Sequence, residues 1–358
     1  MKVGIVGMPN AGKSTLFNAL TRGGAQTGDY PFTTIEPNVA VAEVPDERLD
    51  RLVETLNSSK VTRATIDFHD IAGLVKGASE GEGLGNQFLA SIRETDAICH
   101  VVRAHSDEGV PHPDGSVDPI RDIETIETEL VLADFDQTER RLERVTKQAR
   151  SGDAEAIAEK EWLERVKDAL AEGRPVRSVP APESAPAAVR HLQALTSKPM
   201  LYVVNVDEGE VEVPADIARH ASDNGAVAIA LSHRIEGELA ELDPTEAEEM
   251  RESYGIESDS GLEKLVKAAW ELLGLITFFT AGEETEAVAR SLPRGGTSWD
   301  AAGTIHTDIQ DGFVKAEVIG WEELVEFGSY AAARDAGRLR IEGRDYVVED
   351  GDVITIKV

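Results

Sequence analysis

Gly7-Met8-Pro9-Asn10-Ala11-Gly12-Lys13-Ser14 stands between a short apolar run, Val3-Gly4-Ile5-Val6, and a helical pattern over residues 14–20. A strand that turns through glycines into a helix lets backbone approach an anion closely and offers it the helix's free N–H groups and positive dipole end. Gly7 and Gly12 meet the first need. Lys13 is placed to reach the β- and γ-phosphates of a nucleotide, and the Ser14 hydroxyl to ligate Mg²⁺. The candidate phosphate-binding residues are Asn10, Ala11, Gly12, Lys13, Ser14 and Thr15, with Lys13 also catalytic. No acid precedes Asp29 in a chain holding 67 Asp and Glu, a local absence that fits an anion pocket. The motif predicts a P-loop nucleoside-triphosphate hydrolase.

Such an enzyme needs an acid at the end of a second strand. Residues 65–69 read as that strand, and Asp70-Ile71-Ala72-Gly73 follows. Asp70 is the candidate to hold the metal through water, and the Gly73 amide to meet the γ-phosphate. Between the two motifs, Tyr30-Pro31-Phe32-Thr33-Thr34-Ile35-Glu36-Pro37-Asn38 carries vicinal threonines, of which Thr34 is favoured over Thr33 to complete the metal shell. Ser14, Thr34 and Asp70 form the predicted metal set.

Outward from these motifs, apolar runs alternate with helical patterns through the first third of the chain and again from residue 200 to 273, which describes a parallel-type sheet flanked by helices. From Asp122, apolar residues recur at helical spacing to Ala149; Ser151-Gly152-Asp153 breaks the pattern and Asp153 can cap a second helix ending at Gly173. A Pro-rich connector then leads to a third, short helix stopped by Pro199. This reads as an α-helical hairpin inserted into the α/β domain, either a packing element or a projecting partner-binding arm. From Leu275 short β-type runs take over, and Asp350-Gly351 marks a hairpin within residues 345–356. The expected division is a nucleotide domain over 1–121 and 198–274, a helical (coiled-coil) insertion over 122–197, and a small β-rich domain over 275–358.

The formal net charge of −31 opposes nucleic acid binding except through local basic patches and excludes a DNA-coating role. It also suits a high-salt cytoplasm, where screening weakens self-repulsion. A single cysteine, Cys99, excludes a disulfide framework or multi-cysteine zinc site, and its apolar surroundings favour a buried inert thiol over a redox role. No secretion signal and no run near the ~20 apolar residues of a membrane span are present, so a cytoplasmic location is expected.

The phosphate loop with Pro9-Asn10, the 30–38 loop, and Asp70-Ile71-Ala72-Gly73-Leu74-Val75 running into Gly77-Ala78-Ser79-Glu80-Gly81-Glu82-Gly83-Leu84-Gly85-Asn86 resemble the Obg-related translation-factor GTPases. Ile92-Arg93-Glu94-Thr95-Asp96-Ala97, the helical insertion and the terminal β domain narrow the resemblance, over essentially the whole chain, to the YchF or Obg-like ATPase branch. It implies an OBG-type G domain and, at residues 275–358, a β-grasp-like TGS domain shared with RNA-associated proteins. Members of this fold usually read guanine with Asn-Lys-x-Asp; here the equivalent is Asn205-Val206-Asp207-Glu208. Without the lysine and with a longer acid, preference moves toward ATP, GTP being accepted less well. Asn205, Val206, Glu208 and Ser232 are the candidate base-pocket residues.

Leu74 stands where many such enzymes place a water-orienting glutamine, and an apolar side chain cannot polarise water. By the resemblance, Asn10 helps bind K⁺, and His112 matches a loop histidine proposed to act in hydrolysis; on sequence alone a loop histidine is more often merely solvated. His306 and Asp308 read as structural rather than metal-binding. Arg334, Arg338, Arg340 and Arg344 form a basic island that contacts RNA phosphates or merely makes salt bridges. The reading is a magnesium-dependent ATPase switch that binds the ribosome or ribosomal RNA. Two alternatives stay open: an Obg-type GTPase in ribosome assembly, and a nucleotide-sensing RNA-binding module with vestigial hydrolysis.

Overall fold

The computed structural model describes residues 1–25, 38–71, 84–107, 109–254 and 261–358. Its strands are β1 (Lys2–Gly7), β2 (Val39–Glu43), β3 (Lys60–Thr62), β4 (Thr65–Asp70), β5 (Ala97–Arg103), β6 (Met200–Asn205), β7 (Val227–Leu231), β8 (Leu275–Ala281), β9 (Glu286–Pro293), β10 (Lys315–Gly320), β11 (Arg340–Glu342) and β12 (Asp352–Lys357). The helices are α1 (Lys13–Ala25), α2 (Glu47–Leu56), α3 (Leu84–Arg93), α4 (Pro119–Ala149), α5 (Ala154–Ala171), α6 (Ala188–Leu192), α7 (Ala215–Asp223), α8 (His233–Leu239), α9 (Pro244–Tyr254), α10 (Gly261–Leu272), α11 (Ser298–Ile305), α12 (Thr307–Asp311), α13 (Trp321–Phe327) and α14 (Tyr330–Asp335).

The first sheet has the order β2-β4-β1-β5-β6-β7, and the pairs from β4 through β7 are parallel. β5 and β6 are buried along their whole length, as expected of strands covered on both faces by helices. The register sets Ile5 beside Asp70, Gly7 beside Val101, and Arg103 beside Asn205. The C-terminal ends of four strands therefore line one edge, the usual ligand position in such sheets.

Helix α4 runs for 31 residues from an Asp118 cap whose carboxylate accepts the Arg121 N–H, with Pro119 in its first turn. Ile123, Ile126, Leu130 and Ala133 pack with Val6, Ile98 and Tyr202 of the sheet. Farther along, Val145 joins Trp162, Leu163, Val166 and Leu170 of α5. One helix thus serves two cores, and the expected boundary at residue 122 falls inside it. Asp153 caps α5 by accepting from Glu155 N and Ala156 N. The third helix ends not at Pro199 but at Gln193, which adopts a left-handed φ of 50°. Just beyond it, the buried Asp134 carboxylate accepts from Leu195 N, Thr196 N and Thr196 Oγ1, which draws the chain off the helical path.

The contacts divide the chain differently from composition: Asp67–Ala269 folds with the N-terminal strand and helix, whereas Ala42–Ile66 folds with Trp270–Val358. The reason is β3, which pairs in parallel with β9 at the edge of a second sheet ordered β11-β10-β12-β8-β9-β3. That sheet buries Phe278, Phe313, Val318 and Ile354. Four short helices, α11 to α14, accompany it, more than the β-type runs foretold.

The hairpin expected around Asp350-Gly351 is absent; β11 and β12 each pair with β10 instead. Asp352 accepts from Tyr346 Oη and Glu349 N while Asp350 Oδ1 accepts from Thr277 N, so the segment before β12 is tied into side-chain bonds that replace a ladder. Among the described residues no helix is long and apolar enough to cross a membrane.

Candidate functional site

β1 hands over to α1 through a loop in which Gly12 holds a φ of +104°. A Cβ there would sit 2.6 Å from both Asn205 Nδ2 and His233 Nδ1, so only glycine fits. Asn10 takes a left-handed φ of 63°, which its short polar side chain tolerates. Lys13 Nζ donates to Gly7 O at 3.1 Å and Met8 O at 2.9 Å, folding over the loop. Burial lowers the Lys13 pKa and raises that of Asp70, and each charge partly offsets the other's shift. Asp70 ends β4, its N–H held by Asn38 O at 2.9 Å. Thr34 and Gly73 lie outside the described residues.

Above the loop lies an open cavity of about 660 Å³, lined at one end by Asn10, Gly12, Lys13, Ser14 and Thr15 and at the other by Asn205 to Glu208 and Ser232 to Arg234. Ser14 and Thr15 line it, whereas Ala11 is buried beneath. Asn205 is buried: its Nδ2 donates to Ala11 O at 3.1 Å and its Oδ1 accepts His233 N at 3.1 Å. The residue expected to touch a base is thus also the tie between the phosphate loop and the start of α8. Val206 is buried, with its N–H on Leu231 O at 3.3 Å, and Ser232 stands at the N-cap of α8 without a side-chain capping bond. Glu208 is paired with Arg234 at 3.1 Å, and Arg234 also reaches Glu238.

His112 sits elsewhere. Its ring is buried against α4, with Nε2 2.8 Å from Asp122 Oδ2 and Nδ1 accepting from Asp114 N at 3.1 Å. Since Nδ1 accepts, the proton is on Nε2 and points at the carboxylate. The ring does not line the cavity, although its neighbour Pro111 accepts from Asn10 Nδ2 at 3.0 Å. To reach a bound triphosphate, His112 has to leave both partners. Arg103 shapes the same loop by donating to Val110 O and Asp107 O.

Sequence reasoning missed His233, Arg234, Asp207 and Arg103. Asp207 accepts from Ser106 N, joining the loop after β6 to that after β5. His233 Nδ1 donates to Gly12 O at 3.0 Å, and burial holds its pKa down to about 4. The available signal was position: both residues of the pair His233-Arg234 follow directly on the strand end already marked by Ser232.

His100, on β5 between Val6 and Tyr202, is fully buried with neither ring nitrogen bonded, and burial pushes its pKa to about 3. Cys99 beside it is buried and its thiol pushed up to about 12, an inert group. Both histidines have folded pKa values below the ordinary 6.5, so the folded state binds fewer protons than the unfolded chain below that pH. Their contribution is present above pH 6.5 and is lost as pH falls toward 4. The urea midpoint is expected to drop between about pH 7.5 and about pH 5, and to drop less in His100→Phe; equal drops in the two proteins would refute the assignment.

A family model described as a 50S ribosome-binding GTPase matches residues 2–142, and the YchF-GTPase C-terminal model, described as a protein of unknown function, matches residues 275–358. The chain is 49% identical over 360 residues to the ribosome-binding ATPase YchF of Bacillus subtilis, covering 99% of this chain and 98% of that one. The chain belongs to the YchF family. The relative of the same name from Haemophilus influenzae is 46% identical, again over 99% and 98% of the two chains. Among solved structures, the Schizosaccharomyces pombe YchF GTPase superimposes with a TM-score of 0.89 at 36% identity, covering 100% and 97%. A GTP-binding protein from Pyrococcus horikoshii shares the fold, with a TM-score of 0.61 at 20% identity. The YchF resemblance read from the phosphate loop and its neighbours is therefore borne out, as is the α/β P-loop fold.

Proposed function

We propose that this YchF-family chain is a magnesium-dependent nucleoside triphosphatase of the cytoplasm that prefers ATP to GTP and whose nucleotide state governs association with the ribosome. The observation that carries the reading is the glycine-bounded loop: free backbone, the Lys13 ammonium and the Ser14 hydroxyl all meet one cavity. Relatives named ribosome-binding ATPase, alike over nearly their whole length, support the activity and the partner.

The donor set suits a hard cation, since Ser14, which carries a hydroxyl, lines the cavity and Asp70 lies within electrostatic reach of Lys13. Ser14, with Asp70 through water and Thr34, would hold Mg²⁺, which when bound neutralises charge on the β- and γ-phosphate oxygens. Lys13 leaves the Gly7 and Met8 carbonyls for the phosphates, the loop amides orient them, and the Gly73 amide meets the γ-phosphate. Asn10 spends Nδ2 on Pro111 O, so a K⁺ contribution passes through its Oδ1; exchanging Na⁺ for K⁺ in the assay reads it.

The base preference has its own support. A carboxylate that reads guanine must face two N–H groups, whereas Glu208 is turned to Arg234. Adenine, whose N1 is an acceptor, loses nothing by this. Titrating fluorescent ATP and GTP analogues against the full chain is expected to give several-fold tighter ATP binding. Tighter GTP binding would instead favour an Obg-type GTPase, in line with the ribosome-binding GTPase family model that matches residues 2–142. Ribosome co-sedimentation that responds identically to ATP and a non-hydrolysable analogue would make hydrolysis vestigial.

A further inference from the structure

The basic island Arg334 to Arg344 is taken up by internal pairs. Arg334 faces Glu317 at 3.7 Å, Arg338 faces Glu323 at 3.6 Å, Arg340 faces Asp352 at 3.1 Å, and Arg344 donates to Phe313 O. Arg234 differs from these, because the acid it holds belongs to the nucleotide site.

Arg234 is the second residue of α8, and the backbone that carries it is fixed from the phosphate loop. Its neighbour His233 gives its N–H to Asn205 Oδ1 at 3.1 Å and its ring N–H to Gly12 O at 3.0 Å. On the other side, the loop after β6 is pinned one residue before Glu208, where Asp207 accepts from Ser106 N at 3.0 Å. Two anchored backbones thus bring Arg234 Nη1 to 3.1 Å from Glu208 Oε1. The same guanidinium donates through Nε to Glu238 Oε1 at 3.2 Å, one turn along the helix. Glu208, Arg234 and Glu238 all line the cavity.

Helix stabilisation does not account for this arrangement. A pair four residues apart on α8 needs only Glu238. The bond from Nη1 reaches instead to another element, and in a chain of net charge −31, which leaves many carboxylates unpaired, Glu208 is not among them. Its position gives the pairing a consequence. Glu208 closes Asn205-Val206-Asp207-Glu208, the place from which enzymes of this fold accept the N1 and N2 hydrogens of guanine. To accept them, the carboxylate has to give up Arg234. Adenine makes no such demand, since its N1 is itself an acceptor.

We propose that Arg234 is a specificity-determining residue, whose guanidinium occupies Glu208 and so withholds from GTP the acceptor that guanine needs. Discrimination here is a handicap placed on the wrong base, with no new contact to the right one. Glu238 gives the guanidinium a second seat and keeps it at the cavity mouth. The assignment rests on the ATP preference proposed above and names the residue that enforces it. The two side chains of the pair are 73% and 40% accessible, so water screens it and its effect is about two- to fivefold in relative affinity, the range of exposed ion pairs.

The test displaces a fluorescent ATP analogue from the full chain with ATP, GTP, inosine triphosphate and inorganic triphosphate. It compares wild type, R234A, E208A and R234A/E208A, beside their melting temperatures. R234A is expected to gain about two- to fivefold in GTP affinity relative to ATP, and less for inosine triphosphate, which has the N1 hydrogen but lacks the N2 amine. Inorganic triphosphate reads the loss of general attraction for anions, which cancels in the ratio. The gain should vanish in R234A/E208A, whose ratio should match that of E208A. Melting temperatures should stay within about 2 °C, as for other surface substitutions. An unchanged ratio in R234A overturns the proposal. A shift that survives in R234A/E208A overturns it too, in favour of a direct contact between Arg234 and the base. A wild type that binds GTP more tightly than ATP overturns the preference itself, whatever the variants do.

Discussion

Lys13→Ala is expected to remove ATP turnover, lowering kcat/KM by at least about 10²–10³-fold, the usual loss on deleting a cation or donor aimed at developing charge. The ammonium is part-buried at the centre of the loop, held by Gly7 O and Met8 O and offset by Asp70. Those carbonyls are weak partners for a full charge, so the ammonium is available to a triphosphate, whose bridging oxygen gains charge on the β-phosphate side as its bond to the γ-phosphorus breaks. Alanine leaves Gly7 and Gly12 in place, and the loop should still form. Phosphate release, fluorescent ATP titration and thermal melting together read the effect. Turnover within about tenfold of wild type would mean that the cavity is not the catalytic one. A large fall in melting temperature would mean that the lysine mainly closes the loop.

The loop was legible because its chemistry is local: glycine where a Cβ collides, then lysine and serine at the first turn of a helix. The same holds for the α5 cap, where Asp153 acts within three residues of itself. What stayed hidden depends on distant partners. β3 has three residues and no helix-covered pattern, and its pairing with β9 joins segments more than two hundred residues apart. The Asp350-Gly351 turn looks like a hairpin until Thr277, Tyr346 and Asp352 are seen to take up its polar groups.

In the site, residue type revealed which side chains gather but not how each is used. Asn205 was marked as a base contact, yet only the fold shows both ends of its amide engaged. His112 was marked by resemblance, yet nothing in its own loop announces Asp122 ten residues away as its partner. Charge counting misled at the basic island, where Arg334, Arg338 and Arg340 each face an acid on another element. Pairing, unlike composition, is a property of the fold.

Asn205→Ala separates the two roles that its geometry joins. Removing the amide leaves Ala11 O and His233 N without partners in a buried place, which costs about 2–6 kcal/mol at roughly 1–3 kcal/mol per orphaned group. For a unit of this size that is a fall of about 4–24 °C in melting temperature, at roughly 2–4 °C per kcal/mol. Gly12 is packed against the same amide, so the phosphate loop loses its backing and affinity for every nucleoside triphosphate should fall together. A side chain acting only on the base would behave otherwise, since its loss would shift the ATP-to-GTP ratio while leaving stability and affinity for inorganic triphosphate unchanged. The expected result is the first pattern, a common loss of ATP, GTP and triphosphate binding with a lower melting temperature. The second pattern would sink the assignment of Asn205 as the clasp between the phosphate loop and α8.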